Sequence, residues 1–158
     1  MLTIRSAIAS DVSLLKTMIH EFAAFERLPV SITEADLLRD GFGGKSKFRV
    51  LIAEWDSQPA GYAFFFDYYS TFAGRPGLFL EDIYIRDRYR GKGIGKALLS
   101  RVASVAREES CFGVRWQVLD WNTPAIDFYR KLGAEFMDEW KTVTLEGTAF
   151  QSVAEDAA

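Results

Sequence analysis

The densest chemistry in the sequence lies in Arg90-Gly91-Lys92-Gly93-Ile94-Gly95-Lys96. Closely spaced glycines let the main chain approach an anion. The helix expected behind them, marked by Ile94, Ala97, Leu98, Val102 and Val105 at helical spacing, aims its unbonded N–H groups and its dipole at the same point. Arg90, Lys92 and Lys96 add positive charge there. A Walker loop is excluded because Lys96 is followed by Ala97, where Ser or Thr is required. A Rossmann turn is excluded because the last glycine comes one residue early and Asp87 to Arg90 separate the glycines from the preceding strand. The segment reads as a phosphate cradle of another kind, or as a surface turn carrying solvated cations.

Glu81 and Asp82 form the second feature. They are adjacent in a strand expected over Leu78 to Arg86, so their side chains point to opposite faces unless a bulge re-aims the chain. Carboxylates flanked by Leu78, Leu80, Ile83 and Ile85 are unusual for a plain sheet edge. Tyr129 follows the helix start Asn122-Thr123-Pro124, and with Ile126, Phe128 and Leu132 it also fits an ordinary core face.

The elements that must position these groups read as follows. Leu2 to Arg5 alternates as a short strand. Leu14, Leu15, Met18, Ile19, Phe22 and Phe25 then share one face of a long helix, capped by Ser10 or Asp11 and ended before Pro29. Thr33-Glu34-Ala35-Asp36 resembles a capping box opening a short helix that Gly41 stops. Strands are expected at Phe48–Glu54, Gly61–Tyr69 and Leu78–Arg86, with turns at Asp56–Pro59 and Ser70–Pro76. After the glycine-rich turn and its helix come a strand at Val114–Leu119 and a helix with Thr123 as cap and Pro124 at its first position, ending at Gly133. A closing strand or bent strand pair is expected at Phe136–Leu145, and a weakly helical tail from Thr148. The order specifies an α/β fold: one mixed sheet flanked by helices, in a single domain spanning residues 1–158.

Composition narrows the function. At 158 residues and 49% hydrophobic the chain supports a full core, and 15% aromatics suits a cleft or a subunit contact as well. One cysteine, Cys111, excludes an internal disulfide and reads as a reduced thiol. One histidine, His20, and that cysteine cannot supply an ordinary zinc site. A net charge of −3 is the wrong sign for bulk attraction to nucleic acid. No segment is long and apolar enough to cross a bilayer. The expectation is a soluble, cytoplasmic domain with no nucleic-acid or membrane partner and no metal.

Taken in order, Leu80-Glu81-Asp82-Ile83-Tyr84-Ile85, Tyr89-Arg90-Gly91-Lys92-Gly93-Ile94-Gly95, Asp120-Trp121-Asn122, Phe128-Tyr129 and Leu132-Gly133-Ala134 resemble the GNAT N-acetyltransferases. The glycine turn looks like that family's R/Q-x-x-G-x-G/A pyrophosphate loop. Phe25-Glu26 and Asp36–Gly43 extend the likeness to the spermidine/spermine (diamine) and thialysine acetyltransferases, over roughly Ile4 to Trp140. The loop Tyr68–Ala73 lacks the acid and tryptophan of the polyamine enzymes, and with Leu119–Asn122 it looks nearer the thialysine branch.

The resemblance implies an acetyl-CoA-dependent N-acetyltransferase acting on the primary amine of a small molecule by direct attack. It implies Glu81 as general base through water, and Tyr129 as general acid toward the thioester sulfur. It places the coenzyme against Arg90 to Lys96, Asn122 and Ala125, with the backbone of Ile83, Tyr84 and Ile85 pairing with its pantetheine arm. It places the amine near Phe25, Glu26, Glu81, Asp82, Arg115 and Trp140, and implies a homodimer. The alternatives are a protein or peptide N-acetyltransferase, and a non-catalytic acyl-CoA-binding regulatory module. A pure binder needs neither Glu81 nor Tyr129.

Overall fold

The computed structural model describes residues 1–157. The chain forms two compact units, Met1–Gln117 and the residues from Val118 onward.

The first unit is built on a five-stranded sheet in the order β1-β2-β3-β4-β5. β1 (Leu2–Ser6), β2 (Arg49–Trp55), β3 (Gln58–Ser70) and β4 (Arg75–Ile85) form an antiparallel meander, and β5 (Val114–Trp116) joins β4 in parallel. Asp56 and Ser57 take positive φ (49° and 61°), so β2 and β3 are joined by the two-residue turn that suits strand twist. Helix α1 (Val12–Glu26) buries Val12, Leu15, Met18 and Ile19 against Val50, Ile52, Tyr62 and Tyr84, together with Leu37 of α2 (Glu34–Gly41). By strand alternation Leu51, Ala53 and Ala63 face the other way, and α3 (Ile94–Glu108) packs on β2, β3 and β4 through Ile94, Leu98 and Val102.

Local signals act as expected at α2. The Thr33 hydroxyl accepts from the Asp36 amide at 3.1 Å, and the Thr33 amide donates to Asp36 Oδ2 at 2.9 Å. At α1 the expected side-chain cap is absent. The Asp11 carboxylate instead takes the Ile8 amide and a bidentate bond from Arg5, because a 3₁₀ turn at Ala9–Asp11 precedes the helix.

The second unit holds α4 (Thr123–Lys131) and α5 (Gly147–Glu155). The cap of α4 is Asn122, one residue earlier than expected, because its side chain reaches the Ala125 amide (3.4 Å) and Thr123 already stands in the helix. Gly133 ends α4 with φ +83°, and the Ala134 amide donates back to the Tyr129 carbonyl.

The strand expected at Phe136–Leu145 does not form. Both alternating sets there mix apolar with charged or polar residues (Phe136, Asp138, Trp140 against Met137, Glu139, Lys141), so neither offers a face worth burying. Every described residue from Met137 on is exposed.

Candidate active site

The glycine-rich turn follows β4 through a short 3₁₀ turn at Asp87–Tyr89. Gly91 and Gly93 have φ of +75° and +77°, a conformation side chains rarely adopt, and open space surrounds the position a Cβ would take. The first main-chain bond of α3 runs from Ala97 to Gly93, so the amides of Ile94, Gly95 and Lys96 precede the intrahelical ladder. Aromatic rings hold the cations of this turn in place. The Arg90 guanidinium stands 4.5 Å over Phe25, and Lys92 Nζ stands 4.8 Å from the Trp55 ring and 5.7 Å from Tyr89. Arg90 also pairs with Asp87 (2.8 Å) and donates to the Ile85 carbonyl (3.1 Å). Lys96 is exposed, whereas the Ile94 side chain is buried core, which leaves its amide as its free contribution.

The two carboxylates of β4 are separated by a bulge. Phe64 pairs with Asp82 and Phe65 with Leu80, so Glu81 is an extra residue opposite no partner. Without the bulge Asp82 would share the face of Leu80, toward α3. The inserted residue turns it to the face of Tyr62, Tyr84 and α1 instead. The same irregularity coincides with the end of the β4–β5 ladder, whose last pair is Leu80 with Trp116. β5 therefore stops at Trp116, short of the expected Leu119, and the β4 edge from Glu81 to Ile85 has no β5 partner.

Burial differs sharply across the bulge. Glu81 is exposed. Asp82 is half-buried and accepts a hydrogen bond from the Tyr62 hydroxyl at 2.9 Å. Burial pushes its carboxyl up to about 6, against the Tyr62 bond that lowers it, and the negative charges of Glu81 and Glu26 raise it further. Glu26, the last residue of α1, is also raised by burial. Three acids from α1 and β4 thus share one field, and Phe25 joins them to the cationic turn through Arg90.

In the second unit Tyr129 is buried within α4, its ring 5.4 Å from that of Phe128. Asn122 and Ala125 spend one polar group each on the helix cap. Trp140 is 68% exposed.

Comparison with known proteins decides the family. The acetyltransferase (GNAT) family profile matches residues 15–134. The chain belongs to that family. It is 39% identical over 164 residues to thialysine N-epsilon-acetyltransferase of Sus scrofa, covering 96% of each chain. It is 36% identical over 140 residues to human spermidine/spermine N(1)-acetyltransferase-like protein 1, covering 83% of this chain and 20% of that one. The solved structure of a predicted acetyltransferase with acetyl-CoA from Clostridium acetobutylicum superposes with a TM-score of 0.74 at 24% identity, over 92% of this chain and 97% of that one.

This GNAT acetyltransferase thus has the mixed five-stranded sheet with flanking helices anticipated above. The family uses acetyl-CoA, and the turn fits its diphosphate: two positive-φ glycines with room above them, three unladdered amides and three cations. Among the described residues no group of three or more His, Cys, Asp or Glu could hold a metal ion. Within the first unit the structure gathers Phe25, Glu26 and Asp82 with the turn, and sets Glu81 beside them in the bulge. It does not bring Arg115 into that group: Arg115 lies opposite Phe79, with its guanidinium over Phe112 and Tyr68 at 5.5 and 5.7 Å. Sequence reading missed Tyr62 and Trp55, whose partners Asp82 and Lys92 lie 20 and 37 positions away and meet them only once the strands are in register.

Proposed function

We propose that this acetyltransferase moves an acetyl group from acetyl-CoA to the primary amine of a small lysine-like or diamine substrate, by direct attack. One observation carries the substrate class. The bulge at Glu81 and the end of α1 put three carboxylates (Glu26, Glu81, Asp82) in one field, and Phe25 links them to the glycine-rich turn through Arg90, an arrangement that suits an ammonium on one side and a diphosphate on the other. The thialysine acetyltransferase relative and the acid-free Tyr68–Ala73 segment, which ends β3 and turns toward β4, favour an amino acid with a side-chain amine over a long polyamine.

The coenzyme supplies an activated thioester when bound. Arg90, Lys92 and Lys96, with the main chain of Gly91, Gly93, Ile94 and Gly95, hold its diphosphate. The unpaired β4 edge at Ile83, Tyr84 and Ile85 runs along its arm, with Asn122 and Ala125 as further contacts. Asp82 and Glu26 receive the ammonium, and Phe25 and Trp140 offer it aromatic faces. Arg115, set over Phe112 and Tyr68, is proposed as an amine contact on the family resemblance alone.

A lysine-like ammonium has a reference pKa of ~10.4 and must lose a proton before it attacks, which Glu81 accepts through water. The new C–N bond forms as the C–S bond breaks. Nitrogen gives up its second proton to solvent, and Tyr129 protonates the departing sulfur. We take residues 1–158 as a single acetyltransferase domain in a cytoplasmic homodimer. The exposed Met137, Trp140, Val143 and Leu145 support a subunit contact.

The test follows thiol release from acetyl-CoA with thialysine, lysine, ornithine, diamines, spermidine and a lysine peptide as acceptors, alongside calorimetry with coenzyme A. The expected result is micromolar coenzyme binding and turnover greatest with the amino acids. Turnover of the peptide alone would replace the small-molecule reading, and coenzyme binding with no turnover of any amine would overturn it.

A further inference from the structure

Tyr62 has no part in the reaction as described, yet its hydroxyl donates a hydrogen bond to Asp82. It lies in β3, fully buried, paired in register with Tyr84 and 6.2 Å from that ring. Burial, and after it the neighbouring negative charge of Asp82, hold the phenol far above its ordinary range, so it stays protonated and donates to the Asp82 carboxylate. The bond is therefore one-way, from a side chain locked in the core to a carboxylate at the mouth of the site.

We propose that Tyr62 is a positioning residue for the acceptor amine: its hydroxyl fixes Oδ2 of Asp82 and so turns Oδ1 toward the substrate ammonium. The geometry supports this in two steps. The bulge puts Asp82 on the Tyr62 face, diagonal to Tyr62 across the β3–β4 ladder, and the 2.9 Å contact then holds one carboxylate oxygen. The charged and titratable groups facing Asp82 are Tyr62 from β3, Glu81 from β4 and Glu26 from α1. With no cation among them, Tyr62 is the one neighbour that favours the ionised form an ammonium needs. The inference rests on the amine-acetylation reading above, and its test distinguishes failure of the inference from failure of that reading.

The variant is Tyr62→Phe in the full-length protein, which keeps the ring and removes the hydroxyl. Titration of Asp82 by carboxyl ¹³C NMR reads the bond without turnover. The wild-type midpoint is expected near 6, and the variant's about one unit higher. In steady-state kinetics at pH 7 the amine KM is expected to rise about tenfold. The KM for acetyl-CoA should be unchanged and kcat should stay within about threefold. In an Asp82→Asn background the same change should leave the amine KM where it was, a coupling that a purely structural role for Tyr62 would not produce.

An unmoved midpoint overturns the assignment, and so does a moved midpoint with an unmoved amine KM. Wild-type protein that acetylates no amine overturns the reaction itself, and the positioning role with it. If Tyr62→Phe does not fold, 3-fluorotyrosine at position 62 replaces it. As a stronger donor of nearly the same shape it should lower the Asp82 midpoint, and an unmoved midpoint again overturns the assignment.

Discussion

In this protein every described buried side chain except that of Tyr129 belongs to Met1–Gln117, whereas Trp121, Met137, Trp140, Val143 and Phe150 all lie substantially exposed beyond it. The two regions hold their functional groups by different means. In the first, Asp82 and the cations of the turn are placed by side chains distant in sequence: Tyr62 across a ladder, Trp55 from β2, Phe25 from α1. In the second, α4 is placed by its own ends, the Asn122 cap and the Gly133 stop, each within a few residues of what it serves. A site built on the first kind of support resists local change and is sensitive to core damage. One built on the second is the reverse.

Catalysis gives the largest contrast. Glu81→Gln is expected to lower kcat by about 10²–10³-fold with coenzyme affinity within twofold, since it removes the proposed proton acceptor and keeps the shape. Tyr129→Phe is expected to cost about 10–10²-fold. Steady-state kinetics and calorimetry on both variants check this, and a Tyr129→Phe enzyme with wild-type turnover would confine the chemistry to the first region.

Stability comes next. Leu98 is fully buried, so Leu98→Ala should cost about 3 kcal/mol, while Phe150→Ala, at a residue 50% exposed, should cost less than about 0.5 kcal/mol in urea unfolding. Similar losses at both positions would erase the distinction between the regions.

Gly93→Ala should cost about 1 kcal/mol through its positive φ and weaken coenzyme A binding about tenfold by crowding the turn, as read by melting and calorimetry.

The smallest effect is a pH dependence. Asp82 takes its proton near pH 6 when folded and near ~4 when unfolded, so the folded state carries more protons between those values. Its contribution to stability therefore falls as pH rises from about 4 to 6, and the loss persists at pH 7. Asp82→Asn should gain on wild type by on the order of 1 kcal/mol over that interval, and a pH-independent difference between the two would refute the linkage.

Much of this was legible in the residues. The glycine turn announces itself because its causes are local: glycine conformations, a helix start and three charges within seven positions. The Thr33 box and the helix stop at Gly133 are legible for the same reason. The strand expected at Phe136–Leu145 fails because its apolar residues suggest burial while their alternation supplies no single face. The cap of α4 falls at Asn122, one residue before the expected Thr123, because both are competent caps and only the backbone decides between them.

Adjacent acids in a strand were bound to point apart unless the chain bulged, and that much follows from the residues Glu81 and Asp82. By itself the sequence determined the family, the glycine-rich turn and the order of strands and helices as far as α4, because each is written in contiguous residues. The tertiary structure alone decided that Glu81 is the inserted residue, that Asp82 turns to Tyr62 and Glu26, and that the β4 edge beyond Leu80 is left without a strand. Those outcomes depend on the register between β3, β4 and β5, and register is a property of paired strands that no single strand contains.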